Sequence, residues 1–487
     1  MQSNPWKPNR QSELPLHVQI ERHIREKIAG GEWPAGTKLP SQRRLADAFG
    51  VNRSTVVTAL DELAASGLLE GNRGGGTRVV SGAWGVLAAA KSPDWNAYVR
   101  SGSHRPNLPA VQEINRAEFL PGIIRLGTGE LSPELLPQAG MQRLLRTMAR
   151  RTSPSLGYGE PGGDPQLREL LSARLRGLGI QASPRSILIV SGALQALQLI
   201  SIGLMPPGSS VLLERPSYLY SVPVFQSAGI KLRGIPMDAE GIRTELIAPY
   251  AKTSGGALLY TIPSFHNPTG LVMSKQRRSK LLEACAEISL PVLEDDVYRD
   301  LWLDTPPPSP LKALDDKGLV LYMGSLSKTV SPGLRIGWIA GPEPVIDRLA
   351  DLKMLTDYGS SQLSQWAARE WLASGMHEEH LDKLRRKLTQ RRDAAAALLH
   401  KHFQGLAQWH LPAGGFYIWM RLIEPVAPRV LFEEALRQGL LLNPGYLYDP
   451  EAADCLRLSY AYASPEELKQ GIPILADLVR HLSGQAM

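Results

Sequence analysis

Gly324-Ser325-Leu326-Ser327-Lys328-Thr329-Val330-Ser331-Pro332-Gly333-Leu334-Arg335-Ile336-Gly337 decides how the larger part of this chain is read. It follows the apolar run Val320-Leu321-Tyr322-Met323, which has the composition of a buried strand. A lysine just past such a strand, ringed by serines and followed by Arg335, suits a Schiff base. Its amine would condense with an aldehyde, and the serines and Arg335 would hold a phosphate on the same molecule. Alone, a Ser-x-Ser-Lys segment is a weak signal, because most lysines are surface charges.

Other segments supply the missing roles. Glu294-Asp295-Asp296-Val297-Tyr298 follows the apolar Pro291-Val292-Leu293, so a carboxylate and a phenol stand at another strand end. Pro263 to Gly270 presents the amide of Asn267 from a proline-fixed loop. Ser191-Gly192-Ala193-Leu194-Gln195 lies between a strand and an apolar helix, where backbone N–H groups can cradle a phosphate. Glu214-Arg215-Pro216-Ser217-Tyr218 puts an aromatic ring after one more strand, able to stack on a flat ligand. Each segment by itself reads equally as a turn or as core packing. Their joint occurrence at strand ends is what counts, because ligands in α/β sheets bind there. The apolar runs at 187–190, 211–213, 257–260, 292–293 and 320–323 alternate with amphipathic stretches, which predicts a mostly parallel buried sheet flanked by helices.

The order and spacing of these segments resemble the class I aminotransferases of fold type I, from Pro121 to about Leu482. The resemblance implies an α/β domain with a smaller C-terminal α+β subdomain, and pyridoxal 5'-phosphate as cofactor. It assigns the Schiff base to Lys328, the pyridine nitrogen to Asp295, the ring hydroxyl to Asn267 and Tyr298, and ring stacking to Tyr218. Ala193, Leu194, Ser325, Ser327 and Arg335 would surround the phosphate. Tyr158 matches a tyrosine that reaches a phosphate across a dimer interface. Arg457 matches the arginine that forks onto a substrate carboxylate. Leu194 departs from the family, which commonly has glutamine there; backbone N–H groups dominate that contact, so binding should survive the loss of one side-chain bond.

The first 80 residues read differently. Leu16, Ile20, Ile24 and Ile28 form one apolar stripe of a helix, and Gly30-Gly31 ends it. Ser41 caps a second helix over 42–49, with Leu45, Ala46 and Phe49 on one face. Gly50 makes a turn, and Asn52 caps a third helix reaching about Ser66. Leu68-Leu69, the glycines at 74–76 and Thr77 to Val80 then form a hairpin. Helix, helix, turn, helix and hairpin describe a winged helix-turn-helix, mainly α. Arg53, Ser54 and Thr55 stand at the exposed start of the third helix, where free N–H groups and the positive end of the dipole suit phosphates and base edges. Arg43 can reach the DNA backbone, and Arg73 precedes the wing.

Gly36 to Arg43, Leu45-Ala46, Gly50 to Val56 and Gly67 to Leu69 closely resemble the GntR-type DNA-binding domain. That resemblance implies contacts from Arg43, Arg53 and Thr55. Asn52 stands where Ser or Thr is usual, and Val57 where some relatives are polar or basic, so the site read can differ.

Length and composition agree with two modules. The chain has 487 residues, 43% hydrophobic and 21% charged, which is globular. Its net charge is +7, but the first 80 residues hold 11 Lys and Arg against 8 Asp and Glu, so charge alone does not single them out. Cys285 and Cys455 are too few for a disulfide framework and fit a reducing cytoplasm. No apolar run is long enough for a membrane span, no signal-peptide core precedes residue 10, and no metal site is expected. The expected division is a DNA-binding domain at 12–80, a linker at 81–120 rich in proline and glycine, and the aminotransferase-like domain at 121–487.

A GntR-type reader joined to such a domain resembles the MocR subfamily of regulators. The resemblance implies a homodimer, paired through the aminotransferase-like domain, that binds double-stranded operator DNA and senses a small amino compound or vitamin B6 status. The other reading is a working aminotransferase with an accessory DNA-binding domain; Lys328 and Arg457 are compatible with both.

Overall fold

The computed structural model describes residues 6–72, 76–80, 101–102, 106–150 and 157–484. The chain divides into two compact units, Met1–Gly102 and Ser103–Met487.

In the first unit, helices span Leu16–Ala29, Gln42–Phe49 and Arg53–Ala65, followed by antiparallel strands Leu69–Asn72 and Gly76–Val79. The apolar stripe works as its period predicts: Ile20, Ile24 and Ile28 are buried against Leu45, Phe49, Val56, Leu60 and Leu63. Ser41 Oγ accepts from the Arg44 amide at 3.4 Å and so caps the second helix. Gly50 then takes φ +66°, a left-handed conformation that favours glycine, and the chain turns into the third helix. Asn52 occupies the cap position of that helix without a side-chain cap bond.

The second unit is built on an eight-stranded sheet. In spatial order its strands are Ile187–Val190, Gly337–Ala340, Val320–Ser325, Val292–Asp295, Gly256–Thr261, Ser210–Arg215, Lys231–Asp238 and Gly241–Ile242. The five from Val320–Ser325 to Lys231–Asp238 run parallel. Gly337–Ala340 is antiparallel to both its neighbours. The four inner parallel strands are mostly buried because both faces of the sheet are covered, whereas Lys231–Asp238 is largely exposed or half-buried. A smaller α+β part follows: strands Ala407–Trp409, Tyr417–Leu422, Cys455–Ser459 and Asn443–Pro444 form an antiparallel sheet. Helices Met376–His402, Pro428–Arg437 and Pro465–Leu482 accompany it.

The linker assignment needs correction at its second half. Pro109–Ala117 is a helix, and its Ala110, Ile114 and Ala117 are buried in the main core of the larger unit. Pro109 sits at the first helical position, where its missing N–H costs nothing. The larger unit therefore begins before Pro121. Both cysteines are free and buried. Among the described residues no helix is long and apolar enough to cross a membrane, and no cluster of metal-ligating side chains occurs.

Candidate functional site

Loops that leave the carboxyl ends of four parallel strands, Ser210–Arg215, Gly256–Thr261, Val292–Asp295 and Val320–Ser325, and of Ile187–Val190 meet the small subdomain around a cavity of about 410 Å³. Lys328, Asp295, Tyr298, Asn267, Tyr218 and Arg457 all line it. So do Ala193, Leu194, Ser325, Ser327 and Arg335. The parallel register explains the convergence, since neighbouring strands deliver their ends to one edge.

Lys328 is half-buried, and its Nζ donates to the carbonyl of Gly129 at 2.5 Å. It lies 5.9 Å from the ring centre of Tyr298. Asp295 ends its strand 4% exposed; Oδ2 accepts from Tyr260 Oη at 2.7 Å, and Oδ1 accepts from the Val297 amide at 3.4 Å. No cation pairs with it among the described residues. Burial above all pushes its carboxyl up to about 6, against the lowering effect of the Tyr260 bond. Tyr298 Oη shares a 2.9 Å hydrogen bond with Tyr417 Oη.

Arg457 sits 5% exposed between two rings, 4.2 Å from the centre of Tyr417 and 4.6 Å from that of Tyr448. Nη1 donates to Asn267 Oδ1 at 2.9 Å and Nη2 to the Gly127 carbonyl at 2.7 Å. Its Nε has no partner among the described residues. Among the described residues this buried guanidinium is held by neutral acceptors and aromatic faces, a setting suited to an anion because an unpaired buried charge costs several kcal/mol. Asn267 spends its oxygen on Arg457.

Ala193 and Leu194, both lining the cavity, open the helix Ala193–Gly203 after Gly192. The amides of Ala193 and Leu194 find no acceptor within the helix. Gly192 has φ +87°, and a Cβ there would lie 2.6 Å from Arg335 Nη2, so glycine is required. Arg335 is exposed and donates from Nη2 to the Ser191 carbonyl at 2.9 Å. Ser325 Oγ and Ser327 Oγ are 3.1 Å apart. Leu194 is exposed; Gln195 turns inward instead, accepting from the Ser191 amide at 2.7 Å and donating to Asp357 at 2.7 Å.

Tyr158 is the residue not brought to this cavity. It is 83% exposed and packs on Tyr358, ring centres 4.7 Å apart. Sequence reasoning missed Tyr260, Tyr417, Asn443 and Tyr448, and also Glu118 and Glu130. A signal existed for the region around Gly129: Gly127-Thr128-Gly129 follows a short strand, Ile124–Arg125. A Cβ at Gly127 would meet Asn443 at 2.2 Å, and one at Gly129 would meet Tyr417 Oη at 2.5 Å.

On the smaller unit, Arg43, Asn52, Arg53 and Ser54 are exposed at the meeting of two helix starts, and Thr55 is half-buried. Arg53 donates to Gln42 Oε1 from Nη2 at 3.0 Å and from Nε at 3.3 Å, which ties the start of the third helix to that of the second. Arg44, which sequence reasoning passed over, is exposed beside Arg43. Arg73 lies outside the described residues.

Comparison with known proteins agrees with this geometry. Residues 121–475 match the family "Aminotransferase class I and II", and residues 16–79 match "Bacterial regulatory proteins, gntR family". The HTH-type transcriptional regulator YisV of Bacillus subtilis is 55% identical over 482 residues, covering 99% of both chains. The chain belongs to the gntR-type regulators that carry an aminotransferase class I domain. The HTH-type transcriptional regulator NorG of Staphylococcus aureus is 32% identical over 437 residues, covering 89% of this chain and 98% of its own. Among solved structures, the multiple substrate aminotransferase of Thermococcus profundus matches 81% of this chain and all of its own, at 27% identity and a TM-score of 0.75. The larger unit thus has the aminotransferase fold, in a chain that also carries the gntR-type module.

Proposed function

We propose that this protein is a DNA-binding transcription regulator whose larger unit holds pyridoxal phosphate and senses an amino compound. The observation that carries the reading is the single cavity shared by Lys328, Asp295, Asn267, Tyr298 and Arg457, in a chain that also bears a DNA-reading helix. The donor set fits the cofactor. Asp295 is a buried carboxylate with no ion pair among the described residues, suited to a ring N–H. Asn267 and Tyr298 suit the ring hydroxyl, Tyr218 the ring face, and the amides of Ala193 and Leu194 with Ser325, Ser327 and Arg335 suit the phosphate. When bound, pyridoxal phosphate supplies an aldehyde that condenses with amines and a ring that accepts electrons.

The chain's own residues do the recognition. Arg457 orients a ligand carboxylate, and Lys328 Nζ marks where a ligand amine arrives. Buried walls exclude water and strengthen both contacts. Ligand occupancy shifts the protein between states of different DNA affinity, as differential binding requires. Two copies pair through the larger unit, covering the exposed Leu145, Leu355, Tyr358 and Leu363 and bringing Tyr158 to the partner's phosphate site. Arg43, Asn52, Arg53, Ser54 and Thr55 face the operator, with Arg73 on the wing.

The test is an absorbance titration of apo-protein with pyridoxal phosphate, then of the loaded protein with amino acids, amines and B6 forms, reading operator binding in parallel. A visible band that Lys328→Ala lacks, and a ligand that moves operator affinity, are expected. A band that survives Lys328→Ala, or operator affinity indifferent to every compound, overturns the reading. The presence of both Lys328 and Arg457 in the cavity also supports a second reading, a working aminotransferase. Multiple turnover with 2-oxoglutarate at an ordinary enzyme rate would favour it.

A further inference from the structure

Two carboxylates line the same cavity and have no part in holding the cofactor. Glu118 directly follows the helix Pro109–Ala117, and its Oε1 accepts from Thr128 Oγ1 at 2.9 Å. Glu130 stands two residues beyond Thr128, next to the glycine that receives Lys328. Both line the cavity with Lys328 and Arg457.

Neither carboxylate has an ion pair shorter than 3.9 Å among the described residues. No ion pair to Glu118 is found among the described residues. Glu130 has Arg125 Nη1 at 3.9 Å, too far for a hydrogen bond, and that guanidinium lies over the Tyr462 ring, 4.6 Å from its centre. Burial first, and then the neighbouring charge of Glu118, hold the Glu130 carboxyl above the usual range. Glu118 and Glu130 line one cavity, and there the charge of Glu118 acts on Glu130 against the pull of Lys328 and Arg125. Arg457, in the same space, is a buried cation with an unpartnered Nε. The cavity is lined by charge of both signs: Arg457 and Lys328, and two carboxylates of which only Glu130 has an ion pair among the described residues, a long one to Arg125 at 3.9 Å.

We propose that Glu118 and Glu130 select an effector with a second positive charge, an amino acid of the lysine or ornithine class whose carboxylate lies on Arg457. This rests on the cavity being the effector site argued above. A cationic side chain relieves the repulsion between the two carboxylates and completes their hydrogen bonding. An uncharged side chain of the same length leaves the repulsion in place, and an acidic one adds to it, so the site discriminates by repulsion as well as by attraction.

The experiment is calorimetric titration of the full-length protein loaded with pyridoxal phosphate. The probes are free L-lysine, L-norleucine and L-glutamate. L-norleucine matches the L-lysine chain but lacks the ammonium group. L-lysine should bind at least about tenfold tighter than L-norleucine, a difference of roughly 1.4 kcal/mol, with L-glutamate the weakest. The preference should collapse in the Glu118→Gln, Glu130→Gln double variant, whose cofactor content is read by absorbance so that a damaged site is recognised. The wild-type comparison stands even if the variant fails to fold. L-norleucine binding as tightly as L-lysine, or a double variant that keeps the preference, overturns this proposal and leaves the effector reading intact. Binding of none of the three overturns the proposal, and indifference to the whole wider panel of amines and B6 forms overturns the effector reading beneath it.

Discussion

Arg53 and Arg457 are both proposed to meet an anion, and they wait for it in opposite settings. Arg53 is exposed at a helix start, with one neutral partner, Gln42. Water already solvates its charge, so it costs the fold little and contributes little to it. Its contact with a phosphate gains mostly from released counterions and is screened by salt. Arg457 is 5% exposed between Tyr417 and Tyr448. Its desolvation is already complete before any ligand arrives, and salt barely reaches it. The same contrast runs through the two units. The DNA-reading residues come from one continuous segment and are independent of the core beneath them. The cavity residues come from loops hundreds of positions apart, and they are inseparable from the packing that buries them.

The largest expected effect tests burial at Asp295. Its carboxyl is pushed up to about 6 by desolvation. A carboxyl raised on folding contributes stability that is complete below its unfolded value, near pH ~4, and is lost as pH rises through about 6. Asp295→Asn keeps an acceptor for Tyr260 and cannot ionise. The apo variant should therefore gain on wild type as pH rises, approaching about 3 kcal/mol at neutral pH. Denaturant unfolding of both proteins at about pH 4.5 and about pH 7.5 measures this. A difference that ignores pH would mean Asp295 is not the desolvated acid described here, and the contrast with the exposed module would weaken.

Arg53→Ala tests the other side. Operator affinity should fall by about 1–3 kcal/mol with relaxed specificity, while the melting temperature stays where it was. Operator binding should also drop steeply with salt, and ligand binding in the cavity should not. Equal salt slopes, or a melting temperature lowered by Arg53→Ala, would break the comparison. The smallest effect is at Leu194. The proposed phosphate contact there is a backbone amide, and the side chain is exposed. Leu194→Gln should change cofactor affinity by less than about 1 kcal/mol, the worth of one ordinary hydrogen bond; equilibrium dialysis reads it.

Much of the cavity was legible because strand ends announce themselves. Lys328, Asp295, Asn267, Tyr218 and Ala193 each follow an apolar run, and a parallel sheet gathers such ends without further instruction. The residues that escaped notice lack that flag. Tyr260 lies inside a strand, where a tyrosine reads as core. Tyr417 and Asn443 belong to strands of the small subdomain, and Glu118 follows a helix that the prolines at 106 and 109 disguised as linker. Nothing local says that these side chains share a space with Lys328.

The sequence alone determined the period of the apolar stripes, the Ser41 cap, the turn at Gly50 and the lysine poised past a buried strand. All of these are set within a few residues by backbone sterics and hydrogen bonding. Tertiary structure alone decided that Arg457 would face Tyr417 and Tyr448, that Asp295 would lose its water, and that Glu118 and Glu130 would line one cavity. The reason is that charge in a protein takes its strength from the medium around it. That medium exists only after distant segments have packed together and excluded water, which is also why Lys328 becomes more than a surface lysine only in the folded chain.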